Sequence, residues 1–95
     1  MNEYNVYASG PRKGKPKTLT DRVVRFLTEK LKATEIPSKN RYRKFSKHSS
    51  DEESFYWVGK NGAVRSGKSI SGSASLTKYM HSLMKGWEVK EDKYV

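Results

Sequence analysis

Ninety-five residues make one domain, and the absence of cysteine excludes disulfide staples and thiolate metal sites. Hydrophobic content of 34% and a mean hydropathy of −0.93 promise only a small core; no apolar run approaches the ~20 residues that span a bilayer, and the opening residues lack the apolar centre of a signal peptide. The net charge of +10 is concentrated: the stretch from Arg12 to Lys47 holds 13 Lys/Arg against Asp21, Glu29 and Glu35, while the remaining residues balance. A local excess of that size makes a positive potential whose natural partner is a polyanion.

In chain order, residues 1–17 read as a flexible basic arm. Gly10, Pro11, Gly14 and Pro16 interrupt any regular element, and Arg12, Lys13, Lys15 and Lys17 repel one another, so 8–17 is expected to be mobile. Tyr4, Val6 and Tyr7 read as an edge strand or a tail. Residues 18–95 form the folded domain. Thr18-Leu19-Thr20-Asp21 has the spacing of a capping box, and Leu19, Val23, Leu27 and Leu31 recur every four residues, which predicts a helix over 18–33 with Pro37 as its outer limit. Residues 40–71 read as antiparallel sheet: Arg41–Phe45, then a polar loop over 47–53, then Ser54–Val58, the strongest strand by propensity. Asn61-Gly62 marks a tight hairpin turn leading to a return strand from Ala63. Leu76, Tyr79, Met80, Leu83 and Met84 predict a second helix over 75–85, capped by Ser73 or Ser75 and stopped at Gly86. Trp87–Lys90 alternates as a short strand does. The expected fold class is therefore α+β: an antiparallel sheet of about three strands packed against two helices. Its expected core is Leu19, Val23, Leu27, Leu31, Phe55, Trp57, Val64, Leu76, Met80 and Leu83, with Tyr56 and Val58 able to exchange faces with Phe55 and Trp57.

Three patterns invite a chemical reading. Gly62–Ser69 satisfies the phosphate-loop formula G-x-x-x-x-G-K-S, but that loop needs a helix starting at its Lys-Ser pair and a parallel sheet. Ile70-Ser71-Gly72-Ser73 is poor helix material, so the string reads as a Gly-rich hairpin arm. His48 beside Ser49, Ser50 and Asp51 lacks the rigid frame and oxyanion site of a Ser-His-Asp hydrolase, and His81 lies between apolar rows of the second helix. Asp51-Glu52-Glu53 reads as a solvated loop protecting the neighbouring apolar strand. No enzyme activity, cofactor or metal is expected.

The basic stretch carries the functional expectation: nucleic-acid binding, with DNA ahead of RNA, by a regulator or accessory factor. Arg12, Lys13, Lys15 and Lys17 come from the arm, Arg22 and Arg25 from the first helix, and Lys39, Arg41, Arg43, Lys44 and Lys47 from the following strand region. Arginine forks suit phosphate oxygens, and interleaved Tyr42 and Phe45 suit base stacking. A three-stranded sheet lying in a major groove would present Arg41, Arg43, Lys60, Arg65 and Lys68 outward. The alternative is an inhibitor or modulator whose cations dock on an acidic surface of a host protein; no membrane partner is expected.

Two resemblances accompany this reading. Three short strands followed by a helix resemble, in element order, the arm-binding domains of tyrosine recombinases. Phe55–Gly67, followed by Ser73-Ala74-Ser75-Leu76-Thr77, resembles small uncharacterised bacteriophage proteins. That resemblance implies an intracellular protein made in the cytoplasm of a bacterial host, binding nucleic acid or disabling a host protein.

Overall fold

The computed structural model describes residues 4–92. Its elements are α1 (Leu19–Arg25) continuing into a π-helical turn (Phe26–Lys30), β1 (Thr34–Ile36), β2 (Arg43–Ser49), β3 (Glu52–Val58), a short helical turn (Lys60–Gly62), β4 (Val64–Ser66), β5 (Ala74–Ser75) and α2 (Thr77–Asp92). The fold is α+β. Its sheet has five strands in the order β1-β2-β3-β4-β5, all antiparallel, rather than about three. The additional strands are the short outer ones, whose three- and two-residue lengths leave almost no alternation to read.

The capping box forms as the sequence requires. The Thr18 hydroxyl accepts from the Asp21 amide at 3.1 Å, and the Asp21 carboxylate accepts from the Thr18 amide at 3.1 Å. Asp21 also accepts from the Asn5 amide at 3.1 Å, which ties the N-terminal segment to the helix start. The helix ends earlier than its apolar stripe suggests. Thr28 donates its hydroxyl back to the Val24 carbonyl at 2.9 Å, the ladder widens so that the Leu31 amide reaches the Phe26 carbonyl at 3.2 Å, and Lys32 turns left-handed at φ 61°.

The Asn-Gly turn is also present. The Ala63 amide donates to the Lys60 carbonyl at 3.2 Å, and the central residues Asn61 and Gly62 take φ of 58° and 74°. Because β3 pairs Val58 with Val64 while the turn closes on Lys60 and Ala63, Gly59 is an extra residue on the first strand. The expected polar loop over 47–53 is instead a tight turn in which Ser50 takes φ 56°, between long paired strands.

Directly opposed residues share a face of the sheet, so the register assigns both sides. Phe45, Tyr56, Val58 and Val64 face the helices; Lys44, Phe55, Trp57 and Arg65 face away. The hairpin thus adopts the exchanged register, with Val58 in the core in place of Trp57. Phe45, Val58 and Val64 close on Val23, Val24, Phe26, Leu27, Met80 and Met84, all buried. Each such large side chain contributes about 1.5–3 kcal/mol of transfer free energy. Leu83, expected inside, is 41% exposed.

α2 does not stop at Gly86, and Trp87–Lys90 is helical rather than a strand. Tertiary contacts just past the glycine outweigh its poor propensity. Trp87 meets Phe26 edge-on at 5.6 Å, the Arg25 guanidinium lies 4.9 Å from the Trp87 ring centre, and buried Glu88 accepts twice from Arg22. α2 begins only at Thr77, and the two serines expected to cap it are used elsewhere: Ser75 pairs with Arg65 in the sheet and Ser73 accepts from the Arg65 guanidinium at 2.7 Å. Among the described residues no helix is long and apolar enough to cross a membrane.

The expected arm is described from residue 4 and the expected domain to residue 92; residues 1–3 and 93–95 lie outside the described residues. Residues 4–17 fold back as a closed loop whose base is tied to the first helix and whose Tyr4 packs against the core. The Tyr7 amide donates to Lys15 at 3.0 Å, Gly14 to Tyr7 at 2.9 Å and Lys17 to Asn5 at 3.1 Å, and the Tyr4 hydroxyl donates to Glu29.

Candidate nucleic-acid interface

The fold divides the predicted phosphate-binding side chains. Five of them are engaged inside the molecule. Arg22 grips the Glu88 carboxylate through Nε at 3.0 Å and Nη2 at 2.6 Å, and the Glu88 side chain is only 10% exposed. Arg25 lies against Trp87 and 3.8 Å from Glu29. Arg43 makes a fork on Glu35 at 2.8 and 2.7 Å, a diagonal contact made possible by the pairing of β1 with β2. Arg65 donates to the Ser73 hydroxyl at 2.7 Å and to the Ser73 carbonyl at 2.9 Å, stitching the two ends of the β4–β5 loop. Lys44 sits with Nζ 4.5 Å from the Phe55 ring and 4.9 Å from Trp57. One carboxylate from the second half, Glu88, therefore cancels a cation of the basic stretch.

The groove-binding sheet face is not available either. Arg43 and Arg65 point to opposite sides. On the outer face Trp57 is 4% exposed, and its indole N–H donates to the Gly67 carbonyl at 3.0 Å, so the β4–β5 loop lies over that surface. Phe45, expected to stack on bases, is completely buried between sheet and helices.

What remains exposed gathers in identifiable places. Arg12, Lys13 and Lys17 stand on the N-terminal loop, with Lys15 half-buried beside them. Lys47 is half-buried on β2, and Lys68 is exposed on the β4–β5 loop, bordering a small depression that also includes the acid Glu53. Lys39, Arg41 and Lys60 belong to the end of the sheet where the β1–β2 and β3–β4 connections meet. Here Asn40, Arg41, Tyr42, Gly59, Lys60 and Ile70 line a depression of about 480 Å³. Arg41 and Lys60 are exposed, and neither has an ion-pair partner among the described residues. Lys60 also borders a second hollow of about 320 Å³ against Thr18, Leu19 and Thr20. The helix start is pinned to this turn: the Gly62 amide donates to the Thr20 hydroxyl at 3.0 Å, and that hydroxyl donates to the Gly59 carbonyl at 3.3 Å.

Tyr42 is placed by local chemistry. Its amide donates to the Asn40 side-chain oxygen at 2.8 Å, and the Asn40 amide donates to Ser38 at 3.3 Å, so the connection is an ordered turn. The ring lies against Gly59, where an added Cβ would come within 2.7 Å of it; glycine is what permits this approach. Ile70 reaches the site because its loop crosses the outer sheet face, a long-range closure with no local signal in the sequence.

The other patterns resolve into structural roles. Gly62–Ser69 spans a turn, β4 and a bend, and no helix begins at Lys68-Ser69, so the backbone amides of a phosphate loop are not assembled. His81 donates from Nε2 to the Gly62 carbonyl at 2.8 Å, which fixes its tautomer and holds the turn to α2. His48 meets Glu53 at 3.3 Å rather than Asp51; buried Ser46 stands 3.5 Å from the same imidazole Nε2 but donates its proton to Glu53 at 2.6 Å, so the cluster shares one carboxylate and the serine proton is held by the acid rather than by the imidazole. Among the described residues no three His, Asp or Glu side chains gather as a metal-ligand set.

Comparison with protein-family models, with curated proteins and with solved structures finds no match for this chain.

Proposed function

We propose that this chain is a small non-enzymatic nucleic-acid-binding protein, a regulator or accessory factor that takes DNA ahead of RNA and acts in the cytoplasm of a bacterial cell, as a bacteriophage product would. The observation that carries this reading is the pair Arg41 and Lys60, exposed and without carboxylate partners among the described residues, both lining a depression whose lining contains no acid. Lys39 in the same connection and the exposed cations of the N-terminal loop extend that potential. Binding rests on phosphate neutralisation, so affinity falls as salt rises through counterion release. Fluorescence anisotropy against duplex DNA, single-stranded DNA and RNA at two ionic strengths tests it. Binding at low salt that weakens with Arg41→Ala plus Lys60→Ala supports the reading; no binding to any of the three at low salt refutes it.

A second reading, a modulator docking on an acidic surface of a host protein, draws on a different observation. Tyr79 is 62% exposed and Leu83 41% exposed, one turn apart on α2, near exposed Lys78 and Lys85. A stoichiometric protein partner recovered from nuclease-treated lysate, and lost with Tyr79→Ala plus Leu83→Ala, favours this reading.

A further inference from the structure

We propose that the depression beside Tyr42 receives one unstacked base of a single strand, with Arg41 and Lys60 on the flanking phosphates. This rests on the nucleic-acid reading above and narrows it from charged backbone to single-stranded ligand.

Four observations converge on it. Tyr42 borders open space on two sides: together with Asn40 and Arg41 it lines both the 480 Å³ depression and a neighbouring one of about 570 Å³ that runs along Ile36, Pro37 and Ser38. Both volumes fall within the ~300–1,000 Å³ of sites that hold small organic ligands. The ring is also preorganised. Its backbone is held by the Asn40 side chain and its edge rests on Gly59, so stacking on it immobilises little that is not already fixed.

The chemistry of the lining matches a nucleotide rather than an apolar guest. Its lining combines the Tyr42 ring and Ile70 as apolar surfaces with two exposed cations, Arg41 and Lys60. The Tyr42 hydroxyl and the Asn40 side-chain NH₂ have no hydrogen-bond partner among the described residues, so both are available to a base edge. The acid in the neighbouring depression, Glu35, is neutralised by the Arg43 fork and does not repel the backbone.

The fold disfavours a duplex as the preferred ligand. One sheet face is buried under the helices, and on the other the β4–β5 loop closes over Trp57, which interrupts the strand surface a groove would need. Paired, stacked bases do not enter a concave site, whereas an accessible aromatic face beside cations is the usual platform for an unpaired one, and half-buried Tyr42 keeps one along the depression it lines with Arg41 and Lys60.

The test uses the full chain and three ligands in anisotropy titrations: a short oligothymidylate, an abasic oligonucleotide with the same number of phosphates, and a hairpin duplex. The expected result is that the abasic strand binds roughly 5- to 150-fold more weakly than oligothymidylate, the range for loss of one base–aromatic stack. The two salt slopes stay equal, because the phosphate contacts are unchanged. Tyr42→Leu is expected to bring oligothymidylate down to the abasic level, and Tyr42→Phe to restore it. The abasic comparison uses the unaltered protein, so a misfolded variant cannot obscure it. Equal affinity for abasic strand and oligothymidylate, or tighter binding of the hairpin than of oligothymidylate, overturns the base subsite while leaving the electrostatic reading in place. Absence of binding to all three at low salt overturns the nucleic-acid reading itself.

Discussion

Replacing Glu88 by glutamine separates the structural cations from the functional ones. The Glu88 carboxylate accepts two hydrogen bonds from Arg22, at 3.0 and 2.6 Å, with 10% of its side chain exposed, against 36% for Arg22. Breaking a fully buried pair costs about 3–5 kcal/mol, and an exposed pair is worth ~0–1 kcal/mol. With one partner buried and the other over a third exposed, and with glutamine still able to accept one hydrogen bond, the loss should be about 1–3 kcal/mol. For a domain of this size each kcal/mol shifts Tm by roughly 4–8 °C, so thermal unfolding followed by circular dichroism should show a fall of roughly 5–20 °C. Binding should move the other way. The substitution releases the Arg22 charge, so low-salt affinity for nucleic acid is held or raised in Glu88→Gln. In Arg22→Gln stability falls while affinity stays within about twofold, because a cation already neutralised by a carboxylate displaces no counterions on binding. Lys60→Gln, by contrast, should reduce the salt slope by about 0.7–0.9 with little effect on Tm. A Tm unchanged in Glu88→Gln, or an affinity loss in Arg22→Gln equal to that in Lys60→Gln, would refute this division of the charges.

Gly62→Ala should destabilise by at least about 2 kcal/mol in chemical denaturation, because φ is 74° and the new Cβ would stand 2.6 Å from Leu19 Cγ; Asn61→Gly, at a left-handed position without that obstruction, should change stability by less than about 1 kcal/mol. Phe45→Ala should cost about 3–5 kcal/mol in the same assay, whereas Phe45→Leu should fold and bind nucleic acid as the parent does, since the ring is fully buried and cannot stack on a base. The tip of the N-terminal loop, Ala8 to Gly14, should show reduced heteronuclear NOE values relative to α1, and adding single-stranded DNA should raise them at Arg12 and Lys13; values equal to those of the helix in the free protein would contradict the expected mobility of the arm.

The elements that were legible in the sequence are those specified by neighbours. Thr18 and Asp21 are three apart and satisfy each other without help, and Asn61-Gly62 can adopt positive φ wherever it occurs, so the helix start and the hairpin turn were both readable. Register was not, because Phe55-Tyr56-Trp57-Val58 offers apolar side chains to both faces. The choice of Val58 over Trp57 depends on the outer face also being covered, by Lys44 and by a loop closing from Gly67. The end of α2 was lost for a similar reason: the glycine at 86 is a local stop, but Trp87 and Glu88 find Phe26 and Arg22, the latter 66 residues away in sequence. For the candidate site, Arg41, Tyr42 and Lys60 were readable as basic and aromatic residues, but Gly59 and Ile70 carry no charge or motif. Only the crossing of the β4–β5 loop brings Ile70 beside the ring.

The same sorting explains what kind of binding the surface can support. Of the arginines, Arg22, Arg25, Arg43 and Arg65 spend their guanidinium groups on Glu88, Trp87, Glu35 and Ser73, which leaves Arg12 and Arg41 at the exposed positions. Among the basic side chains, it is arginine whose rigid fork suits bidentate recognition of a guanine edge, while lysine acts as a mobile point charge. A chain that keeps its forks for its own carboxylates and carbonyls and presents mostly lysines outward is suited to holding a backbone rather than reading a sequence in a groove. If the proposed base subsite holds, the discrimination such a surface exercises comes from whether a base is free to leave the stack and meet Tyr42, which is a property of strandedness more than of sequence.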